Sequence, residues 1–494
     1  MEFTFLKDIF GDLLPILPEI VLIVGALLIP LIFYLVKSGK AVAFVAEIFA
    51  ILSAAVVGLV MLDGSLYDTY FDLFTLDAFS GLMALLFLLV VGIVILISAS
   101  SAEITRHVAE YYSLLLVATV GMLFVASSMN LLSIFVGVEC VSITSYALVA
   151  LKKNDPRASE AGVKYLIIGG MSSGLTLYGI SMLYGLTGTI QISEIAEEIS
   201  SMTSFSLPFA IAMIALIAGY GFKISAVPFH MWAPDVYEGA ATPVSMLLAT
   251  SSKKMGFVVL FKIFFTLFAL SMTFATSQMQ YVFAIIAAIT MTVGNLVAIS
   301  QRNIKRMLAY SSIAQAGYIM IALAVMSSYA MEGALFHMFT HVFMKGGAFV
   351  IVAALITAGL GENISDYRGL AKRAPFMAAC MLLFLFSLAG IPPLAGFTSK
   401  FVLFSSTIFI DGEIELQWIW LAVVAVLNSA ISLYYYAKVV KAMYVDKGES
   451  EEKLIIKKTH VLAALICVAF VIFLGVYPGP MLDLCANAAG VIFP

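Results

Sequence analysis

The sequence predicts an all-α polytopic membrane protein with about fourteen transmembrane helices. Its 494 residues are 62% hydrophobic and only 11% charged, less than half of the roughly 25% found in an average soluble domain. The mean hydropathy is +1.07, so there are too few polar residues to cover a water-soluble globule of this size. This composition excludes soluble dehydrogenases, hydrolases and transcription factors. The net charge of −4, without a basic tract, argues against a nucleic-acid partner.

Fourteen stretches are apolar over the roughly 20 residues that a helix needs to cross a bilayer. Spans 1 to 6 are predicted near 13–36, 41–62, 75–98, 110–128, 130–151 and 162–187. Spans 7 to 14 are predicted near 207–229, 243–269, 280–300, 304–326, 331–357, 375–410, 417–440 and 461–485.

The loops between the spans differ in their Lys and Arg content, which sets orientation through the positive-inside rule. Basic residues follow spans 1, 3, 5, 9, 11 and 13, for example Lys152, Lys153 and Arg157 after span 5. The loops after the even-numbered spans contain neither Lys nor Arg. We therefore predict that the basic loops face the inside and that both termini face outward.

Proline interrupts two of the spans. Span 7 contains Lys223-Ile-Ser-Ala-Val-Pro228 and span 12 contains Gly390-Ile-Pro-Pro-Leu-Ala-Gly396. Since proline removes a backbone hydrogen bond and clashes with the preceding turn, both helices are predicted to be broken at mid-depth.

The two broken helices suggest an internal repeat. Each is the fourth helix in a block of five, spans 4–8 and 9–13. Because five is odd, two such blocks have inverted orientations, as in many transporters. The proline positions thus predict three N-terminal helices at 1–105, a first five-helix repeat at 106–270, a second at 271–445 and a C-terminal helix at 446–494.

Three ionisable residues lie deep in the predicted spans, where a charge costs on the order of 2.5–3.5 kcal/mol. Glu139 is the only charged residue in the run 131–151, Lys223 precedes the break in span 7, and Lys400 follows the break in span 12. A buried carboxylate and an ammonium group stabilise each other's charged forms. We therefore predict that Glu139 and Lys223 are a coupled pair.

Further ionisable residues occur in spans 8 and 11. His337, His341 and Lys345 are spaced i, i+4 and i+8, so they share one face of span 11. Lys253 and Lys254 lie inside span 8. A row of such groups can pass protons if hydration or the distance between charges changes.

Less specific interpretations of these residues remain open. Lys164 lies near the start of span 6, and Lys254, Lys262 and Lys438 are long enough to extend to a membrane surface. Either histidine alone is commonly a hydrogen-bonded core residue. The two histidines have no clear third ligand and the four cysteines are scattered, so no metal or iron–sulfur site is expected.

Several motifs resemble those of a known family. They are Leu17-Pro-Glu19, Phe135-Val-Gly-Val-Glu-Cys-Val-Ser-Ile-Thr-Ser-Tyr146, Glu160-Ala-Gly-Val-Lys164-Tyr-Leu and the block Lys223-Ile-Ser-Ala-Val-Pro-Phe-His-Met-Trp-Ala-Pro-Asp-Val-Tyr-Glu-Gly-Ala-Ala-Thr-Pro243. From the first span to the last, the chain resembles subunit N of proton-pumping NADH:quinone oxidoreductase (respiratory complex I). This antiporter-like subunit has archaeal relatives in reduced-deazaflavin (coenzyme F420) dehydrogenases.

The resemblance implies a proton-translocating subunit that does no redox chemistry itself and binds no cofactor. Electron transfer to a quinone or methanophenazine would take place in other subunits. The implied proton-translocating residues are Glu139, Lys164, Lys223, Lys253, His337, His341, Lys345 and Lys400. Lys254, directly after Lys253, leaves open which of the two carries protons.

The implied partners are other membrane subunits of a complex I-like assembly in an energy-transducing membrane, such as a prokaryotic cell membrane. Two alternatives remain at this stage. One is a subunit of a multisubunit Na⁺/H⁺ antiporter, against which the sequences of spans 1 and 5 argue. The other is a purely structural subunit, which would require silent buried lysines.

The alternation of basic loops gives a topology prediction. A membrane-impermeant thiol reagent should label a Lys453→Cys variant only from the inside, because residue 453 lies in a basic loop. A Glu194→Cys variant should be labelled only from the outside. Labelling of Lys453→Cys from the outside alone would show that the orientation of the protein is the reverse of the predicted one.

Overall fold

The structure is a computed structural model that describes residues 11–63, 67–70, 73–200, 206–269, 274–410, 412–448 and 450–493. Within this part of the chain, nearly all regular structure is helical. Two short antiparallel hairpins are also present. They pair β1 (Tyr67–Tyr70) with β2 (Phe74–Leu76) and β3 (Phe409–Ile410) with β4 (Glu413–Ile414).

Spans 1 to 8 are formed by helices α1 to α6, α8 and α10 to α12. The short helices α7 and α9 lie between spans 6 and 7 and between spans 7 and 8. The bounds of all these helices are α1 (Leu17–Val36), α2 (Gly39–Asp63), α3 (Ala78–Ser98), α4 (Val108–Ser127), α5 (Leu131–Val149), α6 (Pro156–Thr187), α7 (Ile192–Ser200), α8 (Leu207–Ile224), α9 (Trp232–Gly239), α10 (Thr242–Leu247), α11 (Lys253–Leu260) and α12 (Thr266–Ala269).

Spans 9 to 14 are formed by helices α13 to α16 and α18 to α21. The short helix α17 lies between spans 11 and 12, and α22 follows span 14. The bounds of all these helices are α13 (Phe274–Ser300), α14 (Ile304–Ile319), α15 (Ile321–Val325), α16 (Ser328–Thr357), α17 (Leu370–Arg373), α18 (Pro375–Ala389), α19 (Ala395–Ser405), α20 (Ile419–Tyr444), α21 (Lys458–Val476) and α22 (Gly479–Ile492).

The predicted all-helical membrane fold is confirmed. Thirteen helical stretches among the described residues are long and apolar enough to cross a membrane. The remaining prediction, span 12, is present as the two shorter helices α18 and α19. The predicted extent of span 14, to residue 485, is wrong. Tyr477 leaves the helical region (φ −131°, ψ 71°), because the residue before a proline is disfavoured in a helix, and α22 begins beyond Pro478.

Spans 8, 10 and 11 form the centre of the molecule, and almost all of their residues are buried. The outer helices α1, α2, α6, α13, α20 and α21 keep apolar side chains exposed, for example Leu27, Tyr34 and Leu166. Exposed apolar side chains of this kind cost little free energy in contact with lipid. The centre is therefore where a membrane protein of this kind can shelter ionisable groups.

Span 8 is not a regular α-helix. π-helical turns at Leu248–Ser252 and Phe261–Phe265 lie on either side of α11, whose first residues are Lys253 and Lys254. Such turns occur mostly as single interruptions of α-helices and are frequent at functional sites. Both lysines thus directly follow an irregular turn.

Spans 7 and 12 break in the same way. α8 is followed by Ser225 and α18 by Gly390, both with left-handed backbone (φ 58° and 93°). The amide of the next residue donates to a carbonyl five residues earlier in each case, which is a Schellman-type helix end. A proline follows three residues after the left-handed residue, at Pro228 and Pro393, and both preceding peptide bonds are cis. The two predicted breaks are present; the domain boundaries remain a prediction.

Five loops that carry Lys and Arg residues meet on one side of the molecule, termed the basic face (loops 99–107, 150–155, 301–303, 358–374 and 445–457). Lys152 Nζ lies 3.5 Å from Glu103 Oε1 and joins two of these loops. Asn303 donates to Glu362 Oε2 at 3.1 Å and joins two more. This arrangement agrees with the alternation in the sequence.

Gly475 of α21 packs on the break in span 12. A Cβ built there would lie 2.6 Å from the backbone nitrogen of Ala395 and 2.7 Å from the carbonyl carbon of Leu394. Since overpacking costs about 1–3 kcal/mol, Gly475→Val should lower the thermal unfolding midpoint of the purified protein by a few degrees. Gly490→Val, where a Cβ meets no atom within 4 Å, should leave it unchanged. Equal shifts in both variants would contradict this packing argument.

Candidate functional site

Glu139 and Lys223 approach each other without forming an ion pair. Glu139 is half-buried, and its Oε1 accepts a hydrogen bond from Ser173 Oγ at 2.6 Å. Lys223 is buried, and its Nζ donates to Ser142 Oγ, one turn after Glu139 on α5. The ammonium group also lies 5.9 Å from the ring centre of Tyr146. A hydroxyl therefore holds the ammonium group, which stays within the electrostatic reach of Glu139.

Span 8 packs directly against Lys223. A Cβ built on Gly256 would lie 3.2 Å from Lys223 Cβ, and Gly256 lies three residues after Lys253. The Nζ atom of Lys253 is buried and has no hydrogen-bond partner among the described residues. It lies 5.8 Å from the ring centre of Tyr237, a cation–π contact that replaces part of the lost hydration.

Two histidines continue the series from span 8 to span 12. Lys254 Nζ lies 3.0 Å from His341 Nδ1, and the ring centres of His341 and His337 are 6.2 Å apart. His337 Nδ1 lies 3.0 Å from Ser399 Oγ, and its Nε2 lies 2.9 Å from Gln315 Oε1. Both histidines are fully buried. His337 therefore contacts spans 10 and 12 at once.

Lys345 forms a branch toward spans 10 and 13. Its Nζ donates to Ser311 Oγ at 2.6 Å and to the Leu308 carbonyl at 3.1 Å. Ser311 in turn shares a hydrogen bond with the Tyr436 hydroxyl. All of these side chains are buried, so this ammonium group has its acceptors without any carboxylate.

Lys400 closes the series at the break in span 12. Its Nζ donates to the carbonyls of Leu388 (2.8 Å) and Ala389 (3.2 Å) and to Ser429 Oγ (2.9 Å). It also lies 5.1 Å from the ring centre of Tyr318. The two carbonyls belong to the end of α18, where a helix has no intrahelical donors for its last carbonyls. The helix break thus supplies the acceptors for this ammonium group.

Lys164 lies apart from these residues. Its side chain is 44% exposed and forms ion pairs with Glu160 (2.8 Å) and Asp235 (2.9 Å) near the basic face. The structure does not bring Lys164 into the buried series. The proton-carrying role implied for it remains a prediction.

The expectation that Lys254 and Lys262 reach a membrane surface is wrong, because both are buried. Lys262 Nζ donates to the carbonyls of Ala126 and Ser128 at the end of α4. Lys438, by contrast, is only partly buried and donates to backbone carbonyls at the basic face. Burial of Lys254 places it beside Lys253 as a second candidate carrier.

Sequence reasoning missed the hydroxyl and amide groups that join the ionisable residues. Each is a polar side chain in an apolar span, a signal that is visible but common in membrane helices. They are Ser142, Ser173, Ser311, Gln315, Ser399 and Ser429.

Taken together, these groups form a series across the middle of the membrane domain, termed the buried row. Its members are Glu139, Lys223, Lys253, Lys254, His341, His337, Lys345 and Lys400. Each can bind and release a proton, and the intervening hydroxyls can both donate and accept. No group of three His, Cys, Asp or Glu side chains within the described ranges is arranged to hold a metal ion. The chemistry that this arrangement supports is proton exchange.

Comparison with known proteins gives one family. The family model described as NADH:quinone oxidoreductase/Mrp antiporter, transmembrane, matches residues 128–432. The chain is 40% identical to F(420)H(2) dehydrogenase subunit N of Methanosarcina mazei, over 98% of this chain and 99% of that protein. It is also 40% identical to NADH-quinone oxidoreductase subunit N of Heliobacterium modesticaldum, over 95% of this chain and 97% of that protein.

A solved structure gives the same result. A chain of respiratory complex I from Thermus thermophilus, solved with bound aureothin, superposes with a TM-score of 0.78 at 27% identity. The match covers 95% of this chain and 99% of that chain.

Proposed function

The chain belongs to the family of subunit N of complex I and F420H2 dehydrogenases, which are proton-translocating membrane subunits, and we propose that the buried row is its proton path. The observation that carries the proposal is the series of contacts from Lys254 through His341 and His337 to Ser399, the residue before Lys400. It connects the centre of the first predicted repeat to the break in the second. Ionisable groups at this depth are costly, and they mark proton paths in membrane proteins.

Proton transfer along the row starts at Lys223, when the charge on Glu139 changes. Its ammonium group is held by one hydroxyl, and Glu139 contributes attraction over a longer distance. In a low-dielectric surrounding, a loss of negative charge at Glu139 destabilises the ammonium form strongly. Lys223 then gives its proton toward span 8, against which it packs at Gly256.

The enzymatic activity is that of the whole complex, of which this chain is a subunit. We place its redox groups and the electron transfer in other subunits, since the buried row contains only groups that exchange protons. Electron transfer there would change the charge near Glu139 and so drive the row.

The alternative of a separate Na⁺/H⁺ antiporter subunit is not supported. The two relatives at 40% identity over nearly the full chain are both subunits N. A sodium site needs several oxygen ligands, and hard cations avoid ammonium groups. The row has five lysines and one carboxylate, which favours H⁺ as the transported ion.

The chain is part of a multisubunit membrane assembly, and we propose that a neighbouring membrane subunit covers the outer face of α5 and α6. Glu139 is only half-buried there, and Leu166, Ile167 and Met171 of α6 are exposed. An ionisable carboxyl group at the edge of a lipid-facing surface costs several kcal/mol, on the order of the cost in a helix centre. A polar neighbour removes that cost.

Both termini are proposed to face the outer side.

Substitution of Lys223 tests the proton path. Lys223→Ala should lower proton pumping and the coupled reduction of the electron acceptor together, while the complex still assembles. Lys223→Arg keeps the charge but cannot release its proton near neutral pH, so it should fail nearly as badly as alanine. The measurement is redox activity and membrane-potential formation in intact vesicles. Pumping at the parental rate by Lys223→Arg would exclude proton release by this residue.

Ser142→Ala tests the contact that holds the ammonium group. A hydrogen bond to a charged group contributes about 1.5–3 kcal/mol, so its loss should reduce pumping by roughly tenfold or more. Ser145→Ala is the matched control, since Ser145 lies one turn further along the same helix and its buried hydroxyl has no partner in the described part of the chain. Comparable losses in both variants would show that the hydroxyl of Ser142 has no specific role.

A further inference from the structure

The short helix α9, which follows the break after α8, is held by ion pairs from spans 6 and 10. Asp235 Oδ2 lies 2.9 Å from Lys164 Nζ of span 6, and Asp235 Oδ1 lies 2.6 Å from Arg306 Nη1 of span 10. The same Arg306 nitrogen lies 2.9 Å from Glu238 Oε2. Asp235 and Glu238 are three residues apart, so they share one face of α9. This face therefore joins the first predicted repeat to the second.

The end of α9 is held from the same side. Lys305 is fully buried, and its Nζ donates to the carbonyl of Ala240, directly after α9, at 3.0 Å. The same atom lies 2.9 Å from Glu362 Oε1. Burial alone would raise the pKa of Glu362, but the adjacent Lys305 and a hydrogen bond from Asn303 hold it below its ordinary value. Glu362 therefore stays charged and holds Lys305 beside the end of α9.

Two aromatic residues of α9 lie beside the buried row. The ring of Tyr237 lies 5.8 Å below Lys253 Nζ, which has no hydrogen-bond partner among the described residues. The indole Nε1 of Trp232 donates to the carbonyl of Phe222 at 2.9 Å, and Phe222 directly precedes Lys223. A displacement of α9 would change the surroundings of both lysines.

A helix of two turns has little stability of its own, so side-chain contacts decide where α9 lies. Resting on the proposed proton path, we propose that Lys164 and Arg306 are positioning residues, whose fixed charges hold α9 through Asp235 so that Tyr237 and Trp232 keep Lys253 and Lys223 in place. Lys164 is 44% exposed between two carboxylates. It remains charged throughout and carries no proton along the row.

The test is to measure protons moved per electron in membrane vesicles with equal amounts of assembled complex. Lys164→Gln removes the ion pair between Lys164 and Asp235 and should lower the ratio at least twofold. Lys164→Arg preserves the charge and should keep most of the parental ratio, in contrast to Lys223→Arg. Asp235→Asn weakens the contacts of residue 235 with both Lys164 and Arg306, so it should lower the ratio further.

Lys372→Gln is the matched control, since Lys372 forms an exposed ion pair with Glu451 on the same face, without contact to α9. It should leave the ratio at the parental value. If Lys164→Arg were as deficient as Lys164→Gln, Lys164 would be a proton carrier and the inference would be overturned. Parental ratios in both Lys164→Gln and Asp235→Asn, with a loss in Lys223→Arg, would reject the positioning role but leave the proposed proton path standing. A parental ratio in Lys223→Arg would reject the proton path itself.

Discussion

Three ammonium groups inside this membrane protein are held by backbone carbonyls that helix ends leave without a partner. Lys400 donates to two carbonyls at the end of α18, Lys262 to two at the end of α4, and Lys305 to one at the end of α9. Most carbonyls within a helix already accept an intrahelical hydrogen bond, whereas the last four have no such donor. Broken and terminated helices therefore supply the acceptors for these three buried lysines.

The two broken helices have equivalent backbones but use them differently. Lys223 lies two residues before the left-handed residue of its break, and Lys400 lies ten residues after the corresponding glycine. Lys400 takes the carbonyls of the helix end itself. In span 7, the Phe222 carbonyl is taken by Trp232, and Lys223 is left with a single hydroxyl. Lys223 is thus the less firmly held of the two ammonium groups.

The spans were predictable because apolar length is a property of each segment alone. The i, i+4 and i+8 spacing likewise placed His337, His341 and Lys345 on one face. The contact of Lys254 with His341 could not be derived, because it depends on how spans 8 and 11 pack. Complementary charge predicted that Glu139 and Lys223 are a coupled pair, but it did not reveal the hydroxyl groups that contact both. Serines in apolar spans are too common for their sequence positions to reveal this.

The π turns of span 8 have a consequence for how this helix tolerates changes in length. A π turn holds about one residue more than an α turn over the same rise. Deleting one residue from 248–252 would convert that turn to an α turn and leave both flanking segments in phase. The same deletion in a regular helix would rotate every later side chain by about 100°. Span 8 can therefore lose one residue at this turn while its two ends stay docked.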